Sequence, residues 1–453
     1  MMRKHILTTA SALATLGSVL GLTGCVGRQV AVEKAARRQI AEVASQLGAQ
    51  PGEVNLPTLT ADSSQVDALR YAVLKHPRIR AAYYEWARAV ERITVERSLP
   101  DPVFVFEADV SDMISSLMPG LMLELPGSRK RALAARAASA ESEVKYHELE
   151  AQVQQVAYGF KNAYYQLYFL ESKLRVNAES LELLKDLEAI ARRQNEVGKA
   201  TLQDVLRTQI EQDQMATEIA NLGDARQALL AQYKAALGLQ RHDPEPAIPS
   251  RFETTAMEVN PDQIWQTALT RNPTLRTMAA EVRVAEASLA MAKRSRYPDF
   301  SVGLEADIKA SPVMARPSLG VTLPIWRDKI AAEIASAQSA KQAGEARLAA
   351  EQIMVAVELA EKTFMFREAT RNQALIQHDL LPKAQQSLEV ARAAYITGRT
   401  GFLDVIEASR SLLDFELQSI EAQTQRELSL AELALLVAGI PPENTPLKNP
   451  ESN

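Results

Sequence analysis

The sequence has little of what most catalytic and metal sites are built from. Its 453 residues include one cysteine and five histidines, which excludes an intrachain disulfide and leaves too few ligands for a His/Cys metal cluster. There is no basic excess either, because 51 Lys and Arg stand against 56 Asp and Glu, so a nucleic-acid partner is not expected. Aromatic residues make up 5% of the chain. No pairing of nucleophile and base is present, and we expect neither an enzyme nor a metal site.

The first 25 residues have the pattern of an exported protein. Arg3 and Lys4 precede an apolar stretch, 6–22, and Leu22-Thr23-Gly24-Cys25 follows directly. This order predicts a signal peptide over 1–24; the alternative, a membrane anchor, would be short for a bilayer core of about 30 Å. The four residues ending in Cys25 resemble the bacterial lipobox. A covalent lipid on Cys25 is therefore expected, and no other cofactor.

The rest of the chain contains two similar halves. The matching positions are His76-Pro77 with Asn272-Pro273, Leu125-Pro126 with Leu323-Pro324, and Gly198 with Gly398. Their offsets are 196, 198 and 200 residues, and such an ordered series indicates a tandem duplication. The predicted organisation is a signal peptide 1–24, a lipidated extended segment 25–63, a first repeat 64–240, a linker 241–260, a second repeat 261–440 and a C-terminal tail 441–453.

Each repeat is predicted to contain a helix, two short strands, a very long helix, a turn and a second long helix. Long stretches free of proline and rich in Ala, Leu, Glu, Gln, Lys and Arg favour helices, the longest of nearly 70 residues, or about 100 Å. Pro382 is expected to kink or break one of them. Helices of this length must pack antiparallel on each other, as in coiled coils, and on other copies. The predicted strands are 102–110, 118–126, 299–309 and 317–324, and the predicted long helices are 127–195, 201–238, 326–397 and 400–438.

The predicted strands alternate strictly between apolar and polar residues. In the second repeat, Phe300, Val302 and Leu304 lie on one face of their strand, and the opposite face carries polar residues. This period of two is typical of outer-membrane barrel strands, with the polar face toward the lumen. A soluble sheet with one buried face has the same alternation, so both interpretations remain open. The acids predicted to face a lumen are Glu107, Asp109, Glu305 and Asp307.

Four strands cannot close a barrel, because about eight are the minimum and an open edge is not tolerated in lipid. A membrane-spanning form would therefore need several copies. Two copies would give eight strands and a filled barrel, whereas three would give twelve and leave room for a lumen. A pore favours three copies.

Together, the lipobox, the duplicated plan, the Leu-Pro ends of the second strands and the two hairpin tips, 195–205 and 394–408, resemble the TolC-like outer-membrane efflux family. The resemblance extends from about residue 64 to 440. It implies a mainly α fold with a small β part: a homotrimer in which four strands per chain form a shared 12-stranded β-barrel in outer-membrane lipid, above a long antiparallel coiled-coil α-helical barrel in the periplasm. The implied partners are a periplasmic adaptor and an inner-membrane pump. The implied function is an exit duct for small molecules or metal ions; the alternative is a structural periplasmic coiled-coil lipoprotein without a pore.

The hairpin tips admit a purely structural interpretation. Gly198 and Gly398 stand where one helix ends and the next begins, which favours a left-handed helix end. Thr201 and Thr400 are then expected to cap the returning helices. The acids that follow, Asp204 and Asp404, would be favoured by the helix dipole.

The resemblance adds a functional interpretation of the same tips. Asp404 and Glu407 are three residues apart and share a helix face, so several copies would form acidic rings at the periplasmic mouth. The resemblance implies that Tyr395 and Asp204 hold neighbouring hairpins together, with Arg399 as a basic partner, one position from its usual place. The residues expected to contact the adaptor are Gly198, Lys199, Gly398 and Arg399.

Overall fold

The computed structural model describes residues 31–47, 59–60, 63–110, 114–248 and 261–437. The predicted signal peptide, Cys25, most of the predicted linker and the C-terminal tail lie outside these residues. The helices are α1 (Ala31–Leu47), α2 (Gln65–Lys75), α3 (Pro77–Arg97), α4 (Lys130–Glu196), α5 (Leu202–Ala236), α6 (Pro261–Arg271), α7 (Pro273–Arg294), α8 (Arg327–Leu375), α9 (Leu381–Ile396) and α10 (Phe402–Leu436).

The strands form one antiparallel sheet in the order β1-β2-β3-β4. Their bounds are β1 Val103–Val110, β2 Ile114–Leu125, β3 Asp299–Asp307 and β4 Met314–Thr322. The second strand of each repeat begins earlier than predicted, at Ile114 and Met314. Pairing with the preceding strand draws these residues into the sheet, although their own sequence shows no clean alternation.

The segment 25–63 was predicted to be extended, and this prediction is wrong for its middle part, where α1 lies. Glu33 in α1 is buried and accepts a hydrogen bond from the Thr94 hydroxyl at 2.6 Å, while Arg97 Nε lies 3.1 Å from its other oxygen. A buried carboxylate needs such partners to offset its desolvation. Both partners belong to α3, so contacts far along the chain position α1.

The helix that opens each repeat was predicted as one element, but it is two. The first repeat divides at His76 and the second at Asn272, each followed by proline, which disfavours a helical conformation in the residue before it. His76 Nδ1 accepts the Arg78 N–H at 3.2 Å, and Asn272 Oδ1 accepts the Leu275 N–H at 3.0 Å. Each of the two residues therefore caps the helix that follows.

The same two side chains also reach the end of the last helix of their own repeat. Asn272 Nδ2 donates to the Leu436 carbonyl at 2.9 Å, and the His76 ring hydrogen-bonds the Ala235 backbone. Burial, and next the nearby Arg78 charge, lower the pKa of His76 below 6.5 in spite of that bond. The break between the two opening helices therefore carries a titratable side chain, His76, in the first repeat, whereas the second repeat has Asn272 at that place.

An interruption was expected at Pro382, and it takes the form of a π-helical turn over Ile376–Leu380 between α8 and α9. The Leu381 N–H bonds to the Ile376 carbonyl, five residues back. Proline has no N–H and its ring crowds the preceding turn, and the wider turn accommodates it without ending the helix.

The chain divides into two compact units. Of the described residues, the first comprises 31–46, 85–110, 114–145 and 279–345, and contains the sheet; the second comprises 47, 59–60, 63–84, 146–248, 261–278 and 346–437. In the second unit, apolar side chains of α4, α5, α9 and α10 form a cluster that includes Leu187, Val205, Tyr395 and Phe402. Of two further clusters, one packs α2 against α4 and α5, and the other packs α6 and α7 against α8 and α10. No helix of the described residues is long and apolar enough to cross a bilayer.

Candidate functional site

The sheet carries one continuous apolar face. The strand register places Phe104, Leu121, Leu304 and Pro317 side by side in a single row across all four strands. The first three are 65%, 51% and 47% exposed. The remaining exposed apolar residues in register on this face are Phe106, Phe300, Val302, Leu319 and Val321. Nothing among the described residues buries this face, which disfavours the alternative of a soluble sheet that buries its apolar side.

The opposite face is polar and more closely packed. Glu107 and Asp109 of β1 and Glu305 and Asp307 of β3 all lie on it, since each is offset by an odd number of residues from the apolar positions of its strand. The four acids therefore share a face, as predicted. Arg316 of β4 pairs with Glu305 in the register and brings a basic group among them.

Asp307 differs from the other three acids because it is buried. Its Oδ1 accepts the N–H groups of Lys309 at 3.0 Å and Ala310 at 3.3 Å, so it closes the turn that follows β3. An aspartate at the end of a strand commonly bonds to the backbone two residues on. That signal was available in the sequence and was not used.

Glycines on the polar face allow neighbouring side chains to lie flat against the sheet. A Cβ on Gly120 would lie 2.4 Å from Glu305 Cγ, and one on Gly303 would lie 2.3 Å from Ser318 Oγ. Any larger residue would force those side chains upward. The polar face is therefore shallow where these glycines occur.

Both outer strands have unpaired edges. Among the described residues, β1 pairs only with β2 and β4 only with β3. Edges of this kind present free N–H and C=O groups and pair readily with another chain.

The two hairpin tips repeat one geometry. Gly198 and Gly398 have φ of 72° and 73°. Gly198 N–H bonds to the Asn195 carbonyl at 2.9 Å and Lys199 N–H to the Gln194 carbonyl at 2.8 Å; the second tip has the same pair of bonds at 3.0 and 2.9 Å. This is the glycine helix end expected from the sequence.

The caps of the returning helices are only partly as predicted. Asp204 Oδ2 accepts hydrogen bonds from the Thr201 N–H and hydroxyl, both at 3.0 Å. In the second tip the cap is Gly401, whose N–H donates to Asp404 Oδ2 at 3.2 Å, and the prediction of Thr400 is wrong. The tips keep an offset of 200, so Thr400 corresponds to Ala200 and lies one residue before the cap.

The predicted gate residues fall into two groups. Tyr395 is buried against Phe402, with ring centroids 5.1 Å apart. Burial raises the pKa of the Tyr395 hydroxyl, and the Asp204 charge raises it further, so the structure brings these two residues near each other. The hydroxyl makes no hydrogen bond within the described chain.

The other gate residues are exposed on the second tip. Asp404 and Glu407 lie on the first turns of α10, and Arg399 lies in the tip itself. No ion pair joins Arg399 to an acid in the described part of the chain. Glu407 is near Arg410, whose pKa is raised first by its bond to Glu211 and further by Glu407.

A group of polar contacts around Glu188, near the tips, was not predicted. Glu188 of α4 accepts hydrogen bonds from Arg192 at 2.6 Å, Gln209 at 2.8 Å and Gln212 at 3.0 Å, which joins α4 to α5. The bonds from Arg192 and Gln209 lower the pKa of Glu188. The spacing of four residues between Glu188 and Arg192 would have predicted their contact. The two glutamines are distant from Glu188 in the sequence and approach it only in the fold.

Methionine sulfur is a ligand for soft metal ions, so the methionines of the sheet are a further candidate site to consider. Met118, Met122 and Met314 lie on the polar face by register, whereas Met113 lies outside the described residues. Arg316 Nη1 lies 3.3 Å from Met118 Sδ, and this cation disfavours a metal ion beside that sulfur. Within the described ranges no group of three or more His, Cys, Asp or Glu side chains could hold a metal ion.

Residues 264–439 match the family model described as "Outer membrane efflux protein". This match covers nearly the whole of the predicted second repeat. The predicted TolC-like resemblance is thereby confirmed for this chain, together with its localisation in the outer membrane and its periplasmic helical part.

One relative is similar in sequence to a larger part of the chain. The cobalt-zinc-cadmium resistance protein CzcC of Cupriavidus metallidurans is 22% identical over 362 residues, which cover 78% of this chain and 84% of the relative. This alignment extends over more of the chain than the family model does. This relative is named for metal resistance, which fits the expectation of a protein that is not an enzyme.

The fold is shared with solved outer-membrane proteins. VceC of Vibrio cholerae superposes with a TM-score of 0.69 at 16% identity, covering 83% of this chain and 96% of that one. CusC superposes with a TM-score of 0.72 at 15% identity, covering 87% and 96%. At these identities the likeness concerns the fold: long helices with a small antiparallel sheet.

Proposed function

We propose that three copies of this efflux-family chain form an outer-membrane exit duct. The observation that carries the proposal is the sheet whose apolar face is exposed and whose polar face is packed. In an outer membrane the apolar face would contact lipid and be removed from water, which is favourable. The open edges of β1 and β4 would pair with strands of neighbouring copies. Three copies supply twelve strands, which leaves a lumen.

The polar face would then line that lumen. Its exposed acids Glu107 and Asp109 and the half-buried Glu305 outnumber Arg316, so the interior is negative where the strands pass through the membrane. The flat side chains over Gly120 and Gly303 keep the lining shallow. A wide acidic lining favours passage of cations and neutral solutes over anions.

The periplasmic mouth is proposed to lie at the hairpin tips. Tyr395 and Asp204 join the second hairpin to the first in the closed arrangement, and Asp404 and Glu407 supply acidic rings. Arg399 is the candidate basic partner when the mouth rearranges. The exposed residues at the turns, Gly198, Lys199, Gly398 and Arg399, are the proposed contacts for a periplasmic adaptor that connects the duct to an inner-membrane pump.

A lipid on Cys25 is proposed as a second attachment to the outer membrane. The exported cargo is a small molecule or a metal ion. A relative named for cobalt, zinc and cadmium resistance makes divalent cations the first cargo to test. The alternative, a structural coiled-coil lipoprotein, gives no account of the exposed apolar face.

Reconstitution tests the pore directly. Purified full-length protein added to a planar bilayer should give discrete conductance steps, with a preference for cations that weakens at high salt because 1 M salt screens over roughly 3 Å. Heat-denatured protein serves as the control. A folded trimer that inserts without any conductance would refute the duct and leave the structural alternative.

A further inference from the structure

We propose that the end of the sheet nearest the helices binds the headgroups of anionic phospholipids. All connections between the sheet and the helices leave at this end, because β1 and β3 begin there and β2 and β4 finish there. The helical part is periplasmic, so in the proposed duct this end meets the periplasmic leaflet of the outer membrane. The inference rests on the proposed duct for that placement and adds a lipid-binding surface to it.

The segments that connect the sheet to the helices are rich in basic residues. We call them the inner rim, and they are 98–102, 126–131, 294–299 and 323–329. Together they contain seven Lys and Arg against three Asp. The segments at the opposite end of the sheet, 109–114 and 307–314, contain one Lys against three Asp. The sheet is therefore electrostatically asymmetric, with its positive end toward the periplasm.

The duplication repeats the basic residues of the inner rim at corresponding positions. At the offset of 198 residues found for the second strands, Arg129 corresponds to Arg327 and Arg131 to Lys329. These residues stand at the start of α4 in one repeat and of α8 in the other. The start of a helix favours acids, yet α4 has no acidic residue in its first turn. An external anion would be stabilised there by the helix end and by the basic side chains together.

Most of the positive charges of the inner rim are not neutralised within the chain. Lys130 Nζ lies 2.8 Å from a carboxylate oxygen of Asp299, and Lys329 Nζ lies 3.8 Å from Glu333. The arginines that form no ion pair with any described residue are Arg129, Arg131, Arg294, Arg296 and Arg327. All of these are exposed except the half-buried Arg294. Their guanidinium groups are therefore available to an anion from outside the chain.

Contacts around Asp299 hold the two middle segments of the inner rim together. Asp299 accepts the Gly127 N–H at 2.6 Å through one oxygen and a Lys130 Nζ hydrogen at 2.9 Å through the other. A Cβ on Gly127 would lie 2.4 Å from the Pro298 carbonyl oxygen, so only glycine permits this close approach. The contact brings the arginines of both segments to one part of the sheet end, where the acid between them is already bonded.

Exposed aromatic and apolar side chains adjoin these arginines. Leu323, Ile325 and Trp326 are 67%, 65% and 72% exposed where β4 leads into α8. Tyr297 is also exposed, and the Arg294 guanidinium lies 4.7 Å from its ring centroid. Trp and Tyr favour the headgroup level of a bilayer, because their rings are apolar and carry a polar tip. A ligand that suits the whole surface has a negative head and apolar chains.

A phospholipid meets both requirements, and the charge of the inner rim selects among phospholipids. Seven basic residues minus three acids leave a net charge of +4 in each copy. A zwitterionic headgroup carries an ammonium group that the arginines repel, whereas an anionic headgroup carries only the phosphate that arginine binds through parallel N–H groups. Each basic residue near an anionic membrane surface strengthens the attraction about fivefold.

Trp326 reports which lipids surround the inner rim. The sequence contains three tryptophans, of which Trp86 is buried, Trp265 is half-buried and Trp326 is exposed. Bromine atoms on the acyl chains of a lipid quench indole fluorescence on contact. Full-length protein is reconstituted in vesicles of phosphatidylglycerol with an excess of phosphatidylcholine, and the bromine is carried by one lipid at a time. The ratio of the two quenching values measures the local enrichment of the anionic lipid.

The wild type should show phosphatidylglycerol enriched about fivefold over its bulk fraction. Arg129→Gln with Arg131→Gln and Arg296→Gln should lower the enrichment to less than about twofold, because the attraction depends on these charges. The single variant Arg296→Gln, on an exposed residue between α7 and β3, should give a smaller loss and serves if the triple variant does not assemble. Trp326→Phe should remove the quenching and so identify the reporter.

The matched control removes the same number of charges far from the sheet. Arg80, Arg193 and Arg271 are exposed residues of the periplasmic helices and form no ion pair with any described residue. Their joint replacement by glutamine changes the net charge as the triple variant does and should keep the wild-type enrichment. If the control loses the enrichment as well, the preference belongs to the charge of the whole protein, and the proposal is overturned.

The remaining outcomes separate this proposal from the proposed duct. Equal quenching by both lipids in a wild-type preparation that conducts in planar bilayers overturns lipid selection and leaves the duct standing. Enrichment that inorganic phosphate removes, and chloride of the same ionic strength does not, assigns the inner rim to free phosphate and overturns the lipid. Absence of quenching by either lipid places the inner rim outside the membrane and overturns the proposal, and absence of conductance in the same preparation would refute the duct as well.

Discussion

The strongest test of the membrane-facing sheet is Leu304→Arg. Leu304 is the sixth residue of the nine in β3, and its row neighbours on the apolar face are Leu121 and Pro317. In the proposed duct this residue faces hydrocarbon near the middle of the bilayer. In a water-exposed sheet it would be an ordinary surface residue.

The two environments predict different costs. An arginine on the lipid face of a barrel strand near the midplane costs about 2 to 4 kcal/mol, and three copies would bear about 6 to 12 kcal/mol together. Even the lower bound corresponds to roughly four orders of magnitude in an assembly equilibrium. On a solvent-exposed surface the same change stays within about 0.5 kcal/mol.

Heat-modifiability in semi-native electrophoresis reports the assembled form. Leu304→Arg should abolish or strongly reduce the heat-sensitive trimer band, while Glu305→Gln should leave it unchanged. Glu305 is the neighbouring residue on the polar face, and glutamine keeps the Cγ that covers Gly120. If the two variants behave alike, the assignment of faces to lipid and lumen is wrong.

Three other predictions concern the anchor, the mouth and the helix break at His76. Cys25→Ser should eliminate incorporation of a radioactive fatty acid and slow sorting while the trimer still forms; unchanged label would remove the lipid from the proposal. Asp404→Ala with Glu407→Ala should lower cation selectivity and relieve block by a trivalent cation in single-channel recording, and wild-type selectivity and block would show that these acids do not line the mouth. His76 has a folded-state pKa below 6.5, so its neutral form favours the folded state and stability should fall as the pH drops from about 6.5 toward that lower pKa. His76→Asn, the residue used at the second break, should remove this part of the pH dependence of the Tm, and an unchanged difference between pH 7 and pH 5 would contradict it.

Local patterns in the sequence predicted much of the fold. The alternation around Phe104 and Leu304 correctly assigned residues to the two faces, because strand periodicity is a property of the backbone itself. Gly198 and Gly398 marked both tips because a left-handed helix end favours glycine. The proline that follows His76 indicated a break in the helix there. The helical periodicity of the surrounding residues nevertheless led to the prediction of one continuous helix.

What could not be predicted depends on distant contacts. Nothing near Glu33 in the sequence indicates that Thr94 and Arg97 surround its carboxylate, and nothing near Glu188 indicates Gln209. The exposure of Leu202 could not be read from α5 either, since the equivalent Phe402 has the same local pattern and is buried. Such differences arise only when whole helices pack.

The π-turn at 376–380 has a consequence for how the repeat can vary in length. An extra residue in a regular α-helix rotates everything beyond it by about 100°, which would turn the tip away from its neighbours. The offset between the repeats rises from 198 at Leu125 and Leu323 to 200 at Gly198 and Gly398, and a π-turn absorbs one such residue within its own five. The second tip keeps the same turn bonds as the first. One of the two extra residues is thus confined to one turn, so a deletion within 376–380 should disturb the tip more than the turn itself.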